Sequence, residues 1–561
     1  MKKILFLSLI ISAQCFAQFT DYNMVKEVKV KNKGVVVSAH PLASEVGAKI
    51  LKEGGNAFDA SIAVQYALAV VYPQAGNIGG GGFLIATTTD GNKISIDYRE
   101  TAPNKATQDM YLDKKGNAQT ELSQRGRLAA GIPGTVAGLF SSHRYAKLPM
   151  EKLIQPSIEL AEKGFAITEQ EANNLNLLKS EFKKYNSHKT AFEKDIPWKT
   201  GDILVQKELA ETLKRIQKDG AKGFYEGKTA EYIVAEMKQG NGIISLEDLK
   251  TYKAVDRKPL IFNYKGYEIV SMPLPSSGGI LLAQMLKMSE LGALHTKMHN
   301  SKEAVQIMIE AERRAYADRA EYMGDPDFIK DKTSLLISDE YLRNRWKNYS
   351  PHFATPSQEV GKIINPEKQS EQTTHLSIWD KWGNAVSVTT TLNDSYGAKT
   401  VVAGAGFLLN NEMDDFSIKP GVPNMYGAIG GEANAIAPNK RMLSSMTPTI
   451  VSQNGKPHII VGTPGGTTIP TSVFQALVGI IDFKLTPNMA INAPKFHHQW
   501  LPEVVFTEKN FPKSTEEALE KMNYTIKKRG NIGRTEIIVI DEEGNINAVA
   551  DSRGDDSVAV E

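Results

Sequence analysis

The sequence predicts a mixed α/β protein (α+β), and three observations carry that expectation. Between Gly34 and Arg99, strand-like and helix-like patterns alternate within short distances. From about residue 150 to 250 the chain is helical and rich in lysine. At Thr373 a hydrophobic, β-patterned run begins directly after a polar stretch.

At the N-terminus, MKKILFLSLIISAQCFAQ places Lys2 and Lys3 before an apolar run from Ile4 to Ile11 and reaches a small residue at Ala17. This is the pattern of a secretory signal, so residues 1–17 are expected to be removed and the product to be periplasmic or secreted. Gln14 beside Cys15 argues against lipidation at that cysteine. Cys15 is the only cysteine, so a mature chain has neither disulfides nor thiol chemistry.

VVVSAHP then reads as a strand, EVGAKILKEGG and FDASIAVQYALAVVYP as helices, and FLIATTT and ISIDYRE as paired strands. The loop between them, GNIGGGGF at 76–83, lacks the lysine and helix start of a phosphate loop and is read as structural. Gly220 and Gly240 break the helical region, and Val305 to Ala320, containing RRAYADRA, forms another amphipathic helix. No later stretch has the roughly 20 apolar residues of a membrane span, so no stable membrane insertion is expected. With 66 Lys and Arg against 64 Asp and Glu, no global field recruits nucleic acid.

TPSQEVGKIINPEKQSEQ, 355–372, is polar and unpatterned and reads as a flexible linker. After it, TTHLSIWD and NAVSVTTTLN are separated by Lys381, Trp382 and Gly383, a three-residue hairpin loop with glycine last. Pairing Asp380 with Asn384 sets the register and puts Thr373 opposite Thr391, with Asn393 on the same side. Threonine is also a good strand residue, so spacing alone leaves two readings. In the chemical one, Thr373 becomes an N-terminus when the bond after Gln372 is cut, and its own α-amine then activates its hydroxyl.

The run TTHLSIWDKWGNAVSVTTTLN resembles the processing site of γ-glutamyltransferases, members of the N-terminal nucleophile hydrolase superfamily. DYRETAP, AAGIPGTVAGL, PLPSSGGI, YMGDPDF, LLNNEMDDF, PNKRMLSSMTPTI, GTPGG and FHHQWLP resemble the family too, in order, over nearly the whole mature chain. The resemblance implies a four-layer αββα sandwich built jointly by a large subunit, 18–372, and a small catalytic subunit, 373–561, held together as a heterodimer. It also implies γ-glutamyl transfer from donors such as glutathione to water, amino acids or dipeptides. A cephalosporin (glutaryl) acylase or a polyglutamate-processing hydrolase on the same scaffold is the alternative, and a non-catalytic binding protein would not cleave itself.

Within that resemblance Thr373 is the nucleophile and Thr391 its hydrogen-bonding neighbour. Arg99, Ser444 and Ser445 match positions that bind the donor α-carboxylate, and Asn393, Glu412 and Asp415 those that receive its α-ammonium. Gly465 and Gly466 are oxyanion-hole candidates, since glycine lets backbone N–H groups approach a tetrahedral centre. Tyr426, in the glycine-rich stretch 420–433, matches a lid residue that latches near Asn393. His497 and His498, adjacent in a strand, point to opposite faces and cannot chelate one ion together. They and His375 are read as packing or hydrogen-bonding residues, and no metal or other cofactor is expected.

Overall fold

The structure, a computed structural model, describes residues 22, 24–361 and 373–561. The expected signal segment at 1–17 and the cleavage-site residue Gln372 lie outside these residues.

Strand alternation decides the architecture, because neighbouring side chains on a strand face opposite sides. Val35, Val37, Phe83 and Ile85 point one way and meet Val270, Ile450, Ile460 and Ile538 in a core between two sheets. Their neighbours Val36, Leu84 and Ala86 point the other way, into a second core with helices Pro41–Lys52 and Ala57–Val71. On the far side Val451, Ile459 and Ile537 form a third core with helices Gly278–Leu291, Lys302–Tyr322 and Thr468–Ile481. Three cores separated by two sheets make the expected four-layer αββα sandwich.

Each of the two central sheets has seven strands, all antiparallel. The first runs, in spatial order, Ser557–Val560, Val35–Ser38, Thr374–Trp379, Ala385–Thr391, Gly81–Thr87, Lys93–Asp97 and Val255–Asp256. The second runs Glu27–Lys31, Asn545–Val549, Glu536–Ile540, Lys456–Gly462, Thr449–Gln453, Tyr267–Ser271 and Leu260–Tyr264. The predicted hairpin therefore lies in the middle of the first sheet.

Helix Ala57–Val71 is mostly apolar around its whole circumference, so every residue in it can be buried. It starts at a capping box in which Asn56 and Asp59 satisfy each other's backbone N–H groups. Asp380, at the hairpin turn, accepts from the Ala57 N–H at 2.9 Å and from the Trp382 and Asn384 N–H groups. One carboxylate thus closes the turn and ties it to the helix N-terminus, where negative charge is favoured.

The polar stretch after Thr355 is not loose at its beginning. Ser357 is buried, donates to the Trp500 carbonyl at 2.8 Å and accepts from Arg313 at 2.6 Å, and the Thr355 N–H reaches Glu310. Polar composition predicted flexibility here; buried charged partners supplied by distant segments hold it in place.

Candidate active site

The hairpin register is the predicted one: Thr374 pairs with Thr390, and the ladder continues to Trp379 opposite Ala385. Gly383 is left-handed at φ +102°, as the loop requires. Thr373 and Thr391 stand at the open end of the ladder, and both line one cavity. Asn393 also lines it but has left the strand. Its φ is +76°, its N–H donates to the Thr391 hydroxyl at 2.8 Å, and its side chain donates to the Asn411 carbonyl.

What fixes Thr391 is the glycine loop at 76–83. A Cβ on Gly80 would lie 2.0 Å from the Thr391 carbonyl oxygen, so only glycine permits this approach. Asn77 ties the loop to the strand, donating to the Thr391 carbonyl at 2.9 Å and the Thr390 hydroxyl at 3.1 Å while accepting from the Gly80 N–H. The loop is structural, as expected, but its work is to seat the hairpin end.

Arg99 follows the strand Lys93–Asp97 and is 1% exposed. Its Nη1 lies 2.6 Å from Glu412, its Nη2 bonds Asp415, and Glu100 stands 3.7 Å away. Both Glu412 and Asp415 belong to the short turn 412–415. Sequence reasoning set them against a substrate ammonium; in the structure both carboxylates sit on Arg99, and of the two only Asp415 lines the cavity. Burial pushes the Glu100 carboxyl up to about 8 against the pull of Arg99, and it raises Glu412 as well.

Ser444 and Ser445 both line the cavity. Their backbone is held by PLPSSGGI: the Ser277 N–H and hydroxyl both donate to the Ser444 carbonyl at 2.8 Å, and the Ser444 N–H donates to the Pro275 carbonyl. Gly466 lines the cavity at φ +52°, while Gly465, at φ +137°, adjoins it without lining it. The Gly465 carbonyl accepts from the Thr468 N–H and hydroxyl, so the loop is braced by the start of helix Thr468–Ile481. A side chain on Gly466 would meet the Tyr426 ring at 2.8 Å.

Tyr426 is buried, and its hydroxyl donates to the Asn393 carbonyl. Its N–H donates to Asn424, whose amide donates to Asp415 at 3.0 Å. The stretch 420–433 therefore lies closed across the cavity. His375 shares hydrogen bonds with Thr389 and Ser377, and His497 with Thr471 and Gln499. His498 accepts from the Trp500 N–H. Burial holds His375 and His497 down at about 3 and His498 well below the usual range, so these imidazoles are neutral.

Sequence reading missed Glu100, Asn424 and above all Arg319, which lines the cavity from helix Lys302–Tyr322. RRAYADRA was the available signal, since three arginines on one largely buried helix require polar partners inside the protein. Among the described residues no cluster of three His, Cys, Asp or Glu is placed to hold a metal ion, and no helix is long and apolar enough to cross a membrane.

Residues 43–561 match the family model described as gamma-glutamyltranspeptidase. The chain is 46% identical over 531 residues to a glutathione hydrolase proenzyme of Escherichia coli (strain K12), covering 94% of this chain and 91% of that one. It is also similar to the crystal structure of Helicobacter pylori gamma-glutamyltranspeptidase, with a TM-score of 0.57 at 46% identity, covering 58% of this chain and 93% of that chain. A cephalosporin acylase structure from Bacillus halodurans superposes with a TM-score of 0.84 at 25% identity, covering 98% of this chain and 99% of that chain.

Proposed function

The chain belongs to the γ-glutamyltranspeptidase family and is a γ-glutamyl acyltransferase and glutathione hydrolase; from that premise we propose the residues and steps by which it matures and works. The observation that carries the proposal is one cavity in which Thr373, Thr391, Asn393, Arg99, Asp415 and the Ser444–Ser445 pair meet at the end of a single hairpin.

In maturation, the Thr373 hydroxyl attacks the carbonyl carbon of Gln372. The C–N bond breaks, the acyl group passes to Oγ, and the freed nitrogen becomes the α-amine. Water then hydrolyses this ester, leaving a large piece, 18–372, and a small one, 373–561.

In turnover, the α-amine takes the Oγ proton as Oγ attacks the γ-carbonyl of glutathione or a related donor. The tetrahedral oxyanion is met by backbone N–H groups of Gly465 and Gly466. The C–N bond of the donor breaks, the proton passes to the leaving amine, and a γ-glutamyl ester remains on Thr373. Water, or the amine of an amino acid or dipeptide, attacks the ester and returns the proton to Oγ. Thr391 orients the nucleophile. Asn393 and Asp415 receive the donor ammonium, with Glu412 behind them on Arg99, and Tyr426 latches the lid. The acids suit a γ-glutamyl donor, since a glutaryl group has no ammonium for them to bind. Export through the N-terminal segment places the reaction in the periplasm or outside the cell.

Thr373→Ala is expected to remain a single chain by intact mass and to release no nitroaniline from L-γ-glutamyl-p-nitroanilide. Two normal fragments, or an intact 372–373 bond in a wild-type protein that still turns over, would sink the proposal.

A further inference from the structure

Behind the cavity, the buried amide of Gln499 joins two of its walls. Its Oε1 accepts from the Thr467 hydroxyl at 2.6 Å and from His497 Nε2 at 2.8 Å, while its Nε2 donates to the carbonyls of Tyr426 at 3.2 Å and Leu501 at 3.4 Å. Thr467 follows Gly466 and lines the cavity, and Tyr426 is the lid residue whose ring lies on Gly466. The amide fits in one orientation only, because turned over its oxygen would face two carbonyls. An amide oxygen can only accept, so His497, which burial keeps neutral, carries its proton on Nε2.

The backbone aims this amide through a strained turn. The Leu501 N–H donates back to the Gln499 carbonyl at 2.8 Å, closing a three-residue turn about Trp500, whose φ is +68°. A bulky residue rarely takes that conformation, and it persists only where neighbours over-determine it. Here the Trp500 N–H donates to His498 Nδ1 at 3.0 Å, its indole donates to the Ser357 carbonyl at 2.9 Å, and its own carbonyl accepts from the Ser357 hydroxyl at 2.8 Å. Tyr426 is thereby held at three points: hydroxyl on Asn393, ring on Gly466 and carbonyl on Gln499. The third ties it to the loop that carries the glycines.

We propose that Gln499 is a positioning residue for acyl transfer. Its amide holds the Gly465–Thr467 loop and the lid at Tyr426 in one fixed relation, so that the loop N–H groups face the reacting carbonyl while the lid is shut. This rests on the oxyanion role proposed above for Gly465 and Gly466.

The test uses the processed protein and L-γ-glutamyl-p-nitroanilide. In Gln499→Met, which keeps the length of the side chain without its amide, kcat is expected to fall roughly 10- to 100-fold with KM changed less than about threefold. Amide exchange is expected to quicken both in 420–433 and at Thr468 and Ile469, whose N–H groups close the loop onto Gly465 and Gly466. Thr467→Val should cause a smaller fall, and the double variant no more than Gln499→Met alone; additive losses would overturn the coupling. An unchanged kcat in Gln499→Met overturns the proposal, and exchange then separates the causes. A loop still tight means that Gln499 does not position it, whereas a loosened loop means that Gly465 and Gly466 are not the oxyanion donors. Should Gln499→Met fail to mature, the kinetic reading passes to Thr467→Val, where an unchanged kcat is equally adverse. Nitrogen NMR of the wild-type protein is expected to show His497 as the Nε2–H tautomer, and the Nδ1–H tautomer overturns the assignment of the amide.

Discussion

Glu100 shows how a residue that touches no substrate sets conditions for the site. It is fully buried, and a Cβ on Gly81 would lie 2.5 Å from its carboxylate, so water cannot crowd in to solvate the charge. Burial lifts its carboxyl to about 8 from an ordinary 4.5. Above about pH 4.5 the unfolded chain releases a proton that the folded protein keeps until about pH 8. The folded state therefore binds more protons in that window, and stability falls as pH rises through it. Glu100→Gln removes the titration while keeping the shape. Its melting temperature relative to wild type is expected to be higher at pH 8 than at pH 5, by thermal unfolding at both values; an equal difference would mean that Glu100 is ionised throughout. Sequence alone reached Arg99 and Asp415 through the motifs that contain them. Glu100, one residue along in the same motif, and Arg319, on a helix read only as amphipathic, were missed because burial, which makes them notable, is a property of the fold.

The elements that seat the nucleophile are held by close backbone approach, which single substitutions can break. In Gly80→Ala the new methyl would meet a carbonyl oxygen, which cannot swing aside as a side-chain tip can, so the loop or the strand bearing Thr391 must shift. The expected cost is about 1–3 kcal/mol, read as a lower denaturation midpoint and as slower disappearance of the uncut precursor on denaturing gels. Tyr426→Phe acts on the other wall. It keeps the ring against Gly466 but deletes the hydroxyl bond to Asn393, worth about 0.5–1.5 kcal/mol. Amide exchange across 420–433 should quicken by up to roughly tenfold, with little change elsewhere. The hairpin was legible because its loop chemistry and two-residue period specify one register. The departure of Asn393 was not, since the positive φ that ends the strand leaves no periodic trace. Nor was the anchoring at Thr355 and Ser357, whose partners Glu310, Arg313 and Trp500 are distant in sequence.

At the scale of the whole molecule, local pattern could suggest strands but not their neighbours. The strand Val35–Ser38 lies between Ser557–Val560 and Thr374–Trp379, pairings separated by hundreds of residues, so the layered architecture came only through resemblance to a family. The same topology governs what happens after the proposed cleavage before Thr373. In the first sheet, ladders between the prospective pieces join Val35–Ser38 to both Ser557–Val560 and Thr374–Trp379, and join Gly81–Thr87 to Ala385–Thr391. In the second, they join Glu27–Lys31 to Asn545–Val549 and Tyr267–Ser271 to Thr449–Gln453. Separating the pieces would break all of these ladders and expose the core between the sheets, to which both contribute. Apolar burial and buried backbone hydrogen bonds are barely screened by ions, whereas surface ion pairs are. The processed protein is therefore expected to elute from a sizing column as one species containing both fragments, even at about 1 M salt, and to separate only in denaturant. Two peaks in salt alone would mean that surface charge, not the interleaved sheets, holds the halves together.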